Sequence, residues 1–273
     1  MDWKSQTIAP VGNPIYFEDP FIRSGAQPIF MEHRFPKTFE FAGGKVPLGG
    51  DVQVYALQLR WAVTERFALI ATKDGYIDMK PDKTLEHTHG WANIAAGFKY
   101  ALVDRPENEF ILTPGLTFEL PTGNTDVQQG RGEGEWNLFV SAAKGFGRFH
   151  TTGNVGFRLP NNFNDQTAQA HYSLQLDYNV CRYFIPFFVA NGYTVLSEGE
   201  HKLLGAVDLN TELYDLINFG STEASGKTQF TVGGGLRSKI YKNVELGFAY
   251  EAGVSSPVGI FDDRFTVDLI WRF

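Results

Sequence analysis

A single cysteine stands among the 273 residues, so Cys181 has no partner for an internal disulfide and no thiolate cluster for a metal. Lys and Arg (24) are outnumbered by Asp and Glu (31), and the net charge of -7 gives a nucleic-acid partner no electrostatic support. Apolar runs are short. None approaches the ~18 residues of a membrane-spanning helix, and the longest, from Tyr183 to Tyr193, is interrupted by Pro186 and Asn191. Residues 1–10 lack the basic and apolar regions of a secretory signal. Methionine is scarce (3), whereas aromatics reach 15% and glycine stands at 29. Aromatics suit pleated surfaces and glycine penalises helix interiors, so this balance favours an all-β protein.

From about residue 51 the chain falls into segments with two-residue alternation, the period of strands with two unlike faces. In 168–180, Ala168, Ala170, Tyr172, Leu174, Leu176, Tyr178 and Val180 share one face, and Gln169, His171, Ser173, Gln175, Asp177 and Asn179 share the other. Residues 110–120, 149–159 and 244–254 repeat the pattern. The connections alternate in length. Tight turns fall at Thr64–Arg66, Arg105–Asn108, Gly145–Arg148, Cys181–Arg182 and Tyr241–Asn243; long polar loops fall near 43–50, 80–90, 121–133, 160–167, 198–226 and 255–261.

About twelve strands result: 35–42, 51–63, 67–79, 90–104, 109–121, 134–146, 148–160, 168–181, 183–197, 227–240, 244–255 and 262–273. An even number of antiparallel strands with short turns at one end and long loops at the other is the plan of a transmembrane up-and-down β-barrel in a bacterial outer membrane. A soluble β-sandwich would share the alternation. Its strands average only about 5–6 residues, however, whereas these match the ~9–11 tilted residues that cross a bilayer. The barrel is therefore expected over 35–273, both termini periplasmic, in a chain whose signal peptide has been removed. Residues 1–34, irregular and punctuated by Pro10, Pro14, Pro20 and Pro28, are expected to form a periplasmic extension or a plug.

The polar phase of the strands gives the lumen-lining set. It comprises the basic residues Arg60, Lys99, Arg158, Arg237, Lys239, Arg264 and Arg272, the acidic residues Glu119, Asp177, Glu245, Glu251 and Asp268, and His150 and His171. The signs nearly balance, which argues against strong ion selectivity and for cross-strand ion pairs that stiffen the wall. If the 160–167 loop closes a regular hairpin, residue 158 faces 169 and His150 faces Asp177. With Ser173 this would be a candidate triad, but a simple ion pair is the favoured reading and no catalytic residue or enzyme activity is expected. The EHTH run at 86–89 offers two imidazoles without a fixed third ligand, so no metal site is expected. The glycines at 130–134 and 233–235 open no helix after a parallel strand and read as turn and curvature devices, so no cofactor is expected. In the loop at 198–226, DLNTELYDLI (208–217) has helical apolar spacing and mostly acidic charges; it can fold into the lumen, lie on the outer surface or dock a partner, and obstruction of the lumen is the favoured reading.

The chain ends FTVDLIWRF, with Phe265, Val267, Leu269, Trp271 and Phe273 on one face. This resembles the C-terminal signal of outer-membrane proteins, which implies that Trp271 and Phe273 are read by the barrel-assembly machinery. The run Leu120–Gly123, with Gly130, Gly132, Gly134 and Gly156–Phe157, resembles the transporter family of the meta-pathway of phenol degradation. That resemblance covers about fifty residues and implies an outer-membrane barrel with a transport role. The expected function is passage of a small solute through a restricted lumen. The alternative is a structural barrel that anchors a larger complex through a protein partner at 1–34 or 198–226. The expected surroundings are outer-membrane lipid.

Overall fold

The computed structural model describes residues 3–41, 44–199, 215–218, 220–222, 224–255 and 261–273. A short helix α1 (Trp3–Gln6) precedes seventeen strands: β1 (Gly25–Arg34), β2 (Thr38–Phe41), β3 (Gly44–Pro47), β4 (Gly50–Ala62), β5 (Phe67–Lys73), β6 (Tyr76–Pro81), β7 (Thr88–Trp91), β8 (Ile94–Tyr100), β9 (Val103–Arg105), β10 (Phe110–Leu120), β11 (Glu135–Phe146), β12 (Phe149–Pro160), β13 (Ala168–Tyr178), β14 (Ile185–Ser197), β15 (Thr228–Lys239), β16 (Val244–Gly253) and β17 (Asp263–Arg272). They build a closed antiparallel barrel of twelve wall strands. β5 with β6 is one wall strand, β7 with β8 another, and β1 closes the ring by pairing with both β17 and β4.

The wall strand divided into β5 and β6 is interrupted at Asp74–Gly75, and both parts pair antiparallel with β4. Gly75 has φ +117°, and a Cβ there would meet the Tyr55 carbonyl at 2.4 Å, so only glycine fits. Beside it the Asp74 carboxylate takes over from the ladder, accepting the Leu57 amide at 2.7 Å.

Outward positions carry an apolar band. Leu57, Leu59, Leu69, Phe98, Leu138, Val155, Leu174, Phe188, Leu246 and Leu269 are all exposed. Trp61, Tyr100, Tyr178, Tyr241 and Trp271 edge the band toward the short turns, and Tyr55, Trp91, Trp136 and Tyr250 edge it toward the long loops. An outward apolar belt between two aromatic girdles is the surface a bilayer requires.

The first wall strand corrects the sequence reading. It is Gly25–Arg34, so the extension ends at residue 24 instead of 34, and Thr38–Phe41 belongs to the β2–β3 hairpin in the following connection. β1 escaped detection because both of its faces mix polar and apolar residues. Ile29 and Met31 point inward against buried apolar groups, while Pro28, Glu32 and Arg34 lie on the outward face. Pro28 is tolerated at a break in the β1–β17 ladder, which pairs Ala26 with Trp271 and resumes at Ile29 with Asp268.

Leu174 and Leu246 are 45% and 41% exposed on the belt, whereas the adjacent Gln175 is fully buried inside. Leu174→Arg or Leu246→Arg should each cost about 2–4 kcal/mol near the bilayer midplane, read as a lower denaturant midpoint on refolding into lipid vesicles.

Candidate functional site: a plugged lumen

Residues 3–24 enter the barrel from the short-turn end, rise to mid-height and return to β1. Every residue from Thr7 to Phe21 is buried. Prolines at 10, 14 and 20 fix φ and remove N–H groups, which suits a segment that must run without a ladder. Two apolar contacts seat it. Ile8, Val11 and Phe17 pack on Ile185, Phe187, Val189 and Ala249, and Trp3 and Phe21 pack on Ala101, Ile111 and Ala143.

Polar contacts then pin it. The Arg60 guanidinium grips Glu18 with two bonds, Nε to Oε1 at 2.8 Å and Nη2 to Oε2 at 2.6 Å. Lys99 Nζ donates to Glu18 Oε1 at 2.6 Å and to the Asp19 carboxylate at 3.2 Å. Arg60 also donates to Gln27, Gln27 to Asp268, and Arg237 grips Asp268 at 2.7 and 2.8 Å. Arg237 in turn donates to the plug carbonyls of Ala9 and Pro10. A chain of hydrogen bonds thus runs from one limb of the plug, through the wall, to the other limb. Lys239 reaches the carbonyls of Ser5 and Thr7, Ser141 that of Glu18, and Thr113 that of Pro20. At the tip, Asn13 donates its amide to Glu251 and its side chain to Ser173, and Tyr16 lies on His171 with ring centroids 4.8 Å apart.

A second segment covers the tip from the long-loop end. Lys73 Nζ donates to the Leu216 carbonyl at 2.9 Å and to Glu119 at 2.6 Å. Arg158 pairs with Glu135 at 2.5 Å and reaches the Ile217 carbonyl, while Asn218 donates to Glu135 at 2.9 Å. Asp215 pairs with Arg264, which also holds Glu251 at 3.0 Å. Leu216 and Ile217 are buried beside Ile15 and Tyr16. Of the helical segment expected over 208–217, residues 208–214 lie outside the described residues.

Of the fourteen residues assigned to the lumen from the sequence, eleven are buried and Arg60, Lys239 and Arg272 are half-buried. Most serve in ion pairs, among them Arg272 with Glu245 at 3.0 Å. The wall register brings His150 opposite Asp177, Nδ1 to Oδ1 at 2.8 Å. Ser173 lies two rungs away, opposite Asn154 and bonded to Asn13, so the three side chains form no triad. His87 bonds Asp78 at 2.7 Å and His89 stacks near Tyr76, so the two imidazoles do not converge. Among the described residues no cluster of three metal-ligating side chains exists. Sequence reasoning missed Glu18, Asp19, Lys73, Glu135 and Asp215. Glu135 continues the inward phase of Asn137 and Ser141 and was open to detection; Glu18 and Asp19 sit in an aperiodic segment with no phase to read.

These features define a transmembrane β-barrel occluded by its own N-terminal segment. No protein-family model and no curated protein matches the chain. Among solved structures, it is similar to an outer membrane channel from Pseudomonas putida F1, with TM-score 0.62 and 17% identity over 98% of this chain and 100% of that one. It is also similar to the NanC porin, with TM-score 0.55 and 6% identity over 90% and 100% of the two chains. A third is the translocator domain of the autotransporter NalP from Neisseria meningitidis, with TM-score 0.55 and 12% identity over 91% and 89%. At these identities the likeness is one of fold, that of outer-membrane barrels.

Glu18→Gln leaves Arg60 with a neutral partner and Lys99 with the Asp19 carboxylate alone, at 3.2 Å. The plugged state should lose about 3 kcal/mol, raising the unplugged population roughly 100-fold, seen in planar bilayers as more frequent openings than the parent shows.

Proposed function

We propose that the protein is a gated outer-membrane channel for a small solute, in which residues 3–24 are the gate. One observation carries this reading: the occlusion is made by a tethered segment held through hydrogen bonds and ion pairs, and not by the wall's own side chains. Twelve strands enclose more space than the eight that wall side chains fill unaided. Removing the plug therefore leaves a passage, narrowed further by the 215–218 segment. Both termini belong on the short-turn side, which in outer-membrane barrels faces the periplasm. Residues 7–21 are buried in the barrel and not offered to a partner, so the anchor reading rests on 198–226 alone.

The test is a reversible staple. A Cβ at Gly12 would lie 3.0 Å from Val189 Cγ1, the separation across a disulfide from one Cβ to the far sulfur. Gly12→Cys with Val189→Cys, in a Cys181→Ser background, should conduct in reducing buffer and fall silent on oxidation. Equal conductance in both states would reject the gate.

We also propose that the chain's end serves insertion. Trp271 and Phe273 stack outward with centroids 5.4 Å apart. Changing both to Ala should lower outer-membrane levels in cells, through the barrel-assembly machinery, while refolding of the purified chain into detergent continues. Unchanged levels would argue against this role.

A further inference from the structure

The plug is not gripped evenly around its circumference. Its charged clamps come from Arg60 on β4, Lys99 on β8, Arg237 and Lys239 on β15 and Glu251 on β16. The inner wall formed by β12 and β13 differs. Between the His150–Asp177 pair near the short turns and Arg158 near the long loops, its inward residues are Thr152, Asn154, Gly156, His171, Ser173 and Gln175, and none is a carboxylate, lysine or arginine.

Polar atoms on this wall lack hydrogen-bond partners among the described residues. They are His150 Nε2 and Asp177 Oδ2 on one rung, Thr152 Oγ1 and both amide atoms of Gln175 on the next, Asn154 Oδ1 on the third, and His171 Nδ1 on the fourth. Every one of these side chains belongs to a residue at most 2% exposed. The plug adds Asn13 Oδ1 and Tyr16 OH, also unpartnered, from the facing side. Six residues of strand separate the first rung from the fourth, a span of about 20 Å. Each buried polar atom without a partner opposes the plugged state, since it has lost water and gained no bond in return. A ladder of such atoms fits a surface that meets its partners when the plug is out.

We propose that the β12–β13 inner wall is the solute-binding face of the opened lumen, and that its solute is uncharged and rich in hydroxyl groups. The chemistry of the ladder selects this class. Carboxamide and carboxylate oxygens at Asn154, Gln175 and Asp177 accept, the Gln175 amide donates, and the Thr152 hydroxyl and the imidazoles do either. Hydroxyl groups satisfy both kinds of site. An ion would gain no counter-charge over the middle rungs, and an aliphatic solute would leave the same atoms unpaired.

This inference rests on the gated-channel reading. Full-length protein in proteoliposomes is compared in swelling assays with glucose and sorbitol as neutral probes, and with gluconate and glucosammonium as anion and cation of similar size. The neutral probes should enter about fivefold faster than either ion, the worth of a single well-made hydrogen bond. Thr152→Val with Gln175→Leu should bring the ratio of neutral to ionic flux close to one. Thr152→Ser with Gln175→Asn should keep most of the preference, and supports the test if the apolar variant fails to fold. Faster ions in the parent protein, or a ratio untouched by the apolar pair, would overturn the binding face while leaving the gate intact. No flux of any probe from the reduced staple variant would overturn both.

Discussion

Arg60 and Lys99 are buried cations on neighbouring parts of one wall, and the carboxylate they share, Glu18, belongs to a different part of the chain. Two charges of one sign so close demand an anion between them. That demand fixes where the N-terminal segment turns back toward β1, sets the height of Tyr16 and Asn13 above it, and brings Phe17 and Phe21 onto their apolar seats. The interior is therefore packed as a globular core is packed, though its wall faces a membrane on the outside.

The same demand explains why the wall is so rich in buried ion pairs. A barrel interior assembled from polar strand faces has few apolar groups with which to fill itself. Charges of both signs, arranged so that each meets its partner, replace the water that an open lumen would hold. Gln27 shows the economy of this arrangement, linking Arg60 to Asp268 in a chain of four wall residues, Arg60, Gln27, Asp268 and Arg237, that joins the two limbs of the plug.

Much of the wall was legible in the sequence. Strict alternation located eleven of the twelve wall strands, because lipid outside and polar groups inside impose opposite demands on successive residues. It also located the His150–Asp177 contact, because hairpin register follows from loop closure. β1 was illegible for the converse reason. Its inner face sets Ile29 and Met31 beside Gln27 and His33, and its outer face carries Pro28, Glu32 and Arg34 beside Phe30, so no clean alternation survives. The plug itself has no period. Its prolines mark a stiff extended path, but which charges it brings to which wall depends on the closed barrel, and no local pattern encodes that.

The tether at Gly25 gives the plug a property that its contacts alone do not. It is an intramolecular ligand, joined to its site through a link of a few residues, so its effective concentration at that site is on the order of millimolar. In the proposed gate a freed plug recloses without waiting for diffusion, and a solute keeps it out only where its concentration relative to its own Kd exceeds that of the tethered plug. The proposed gate thus has a threshold written into its connectivity: dilute solute leaves it shut, and only abundance at the mouth of the lumen holds it open.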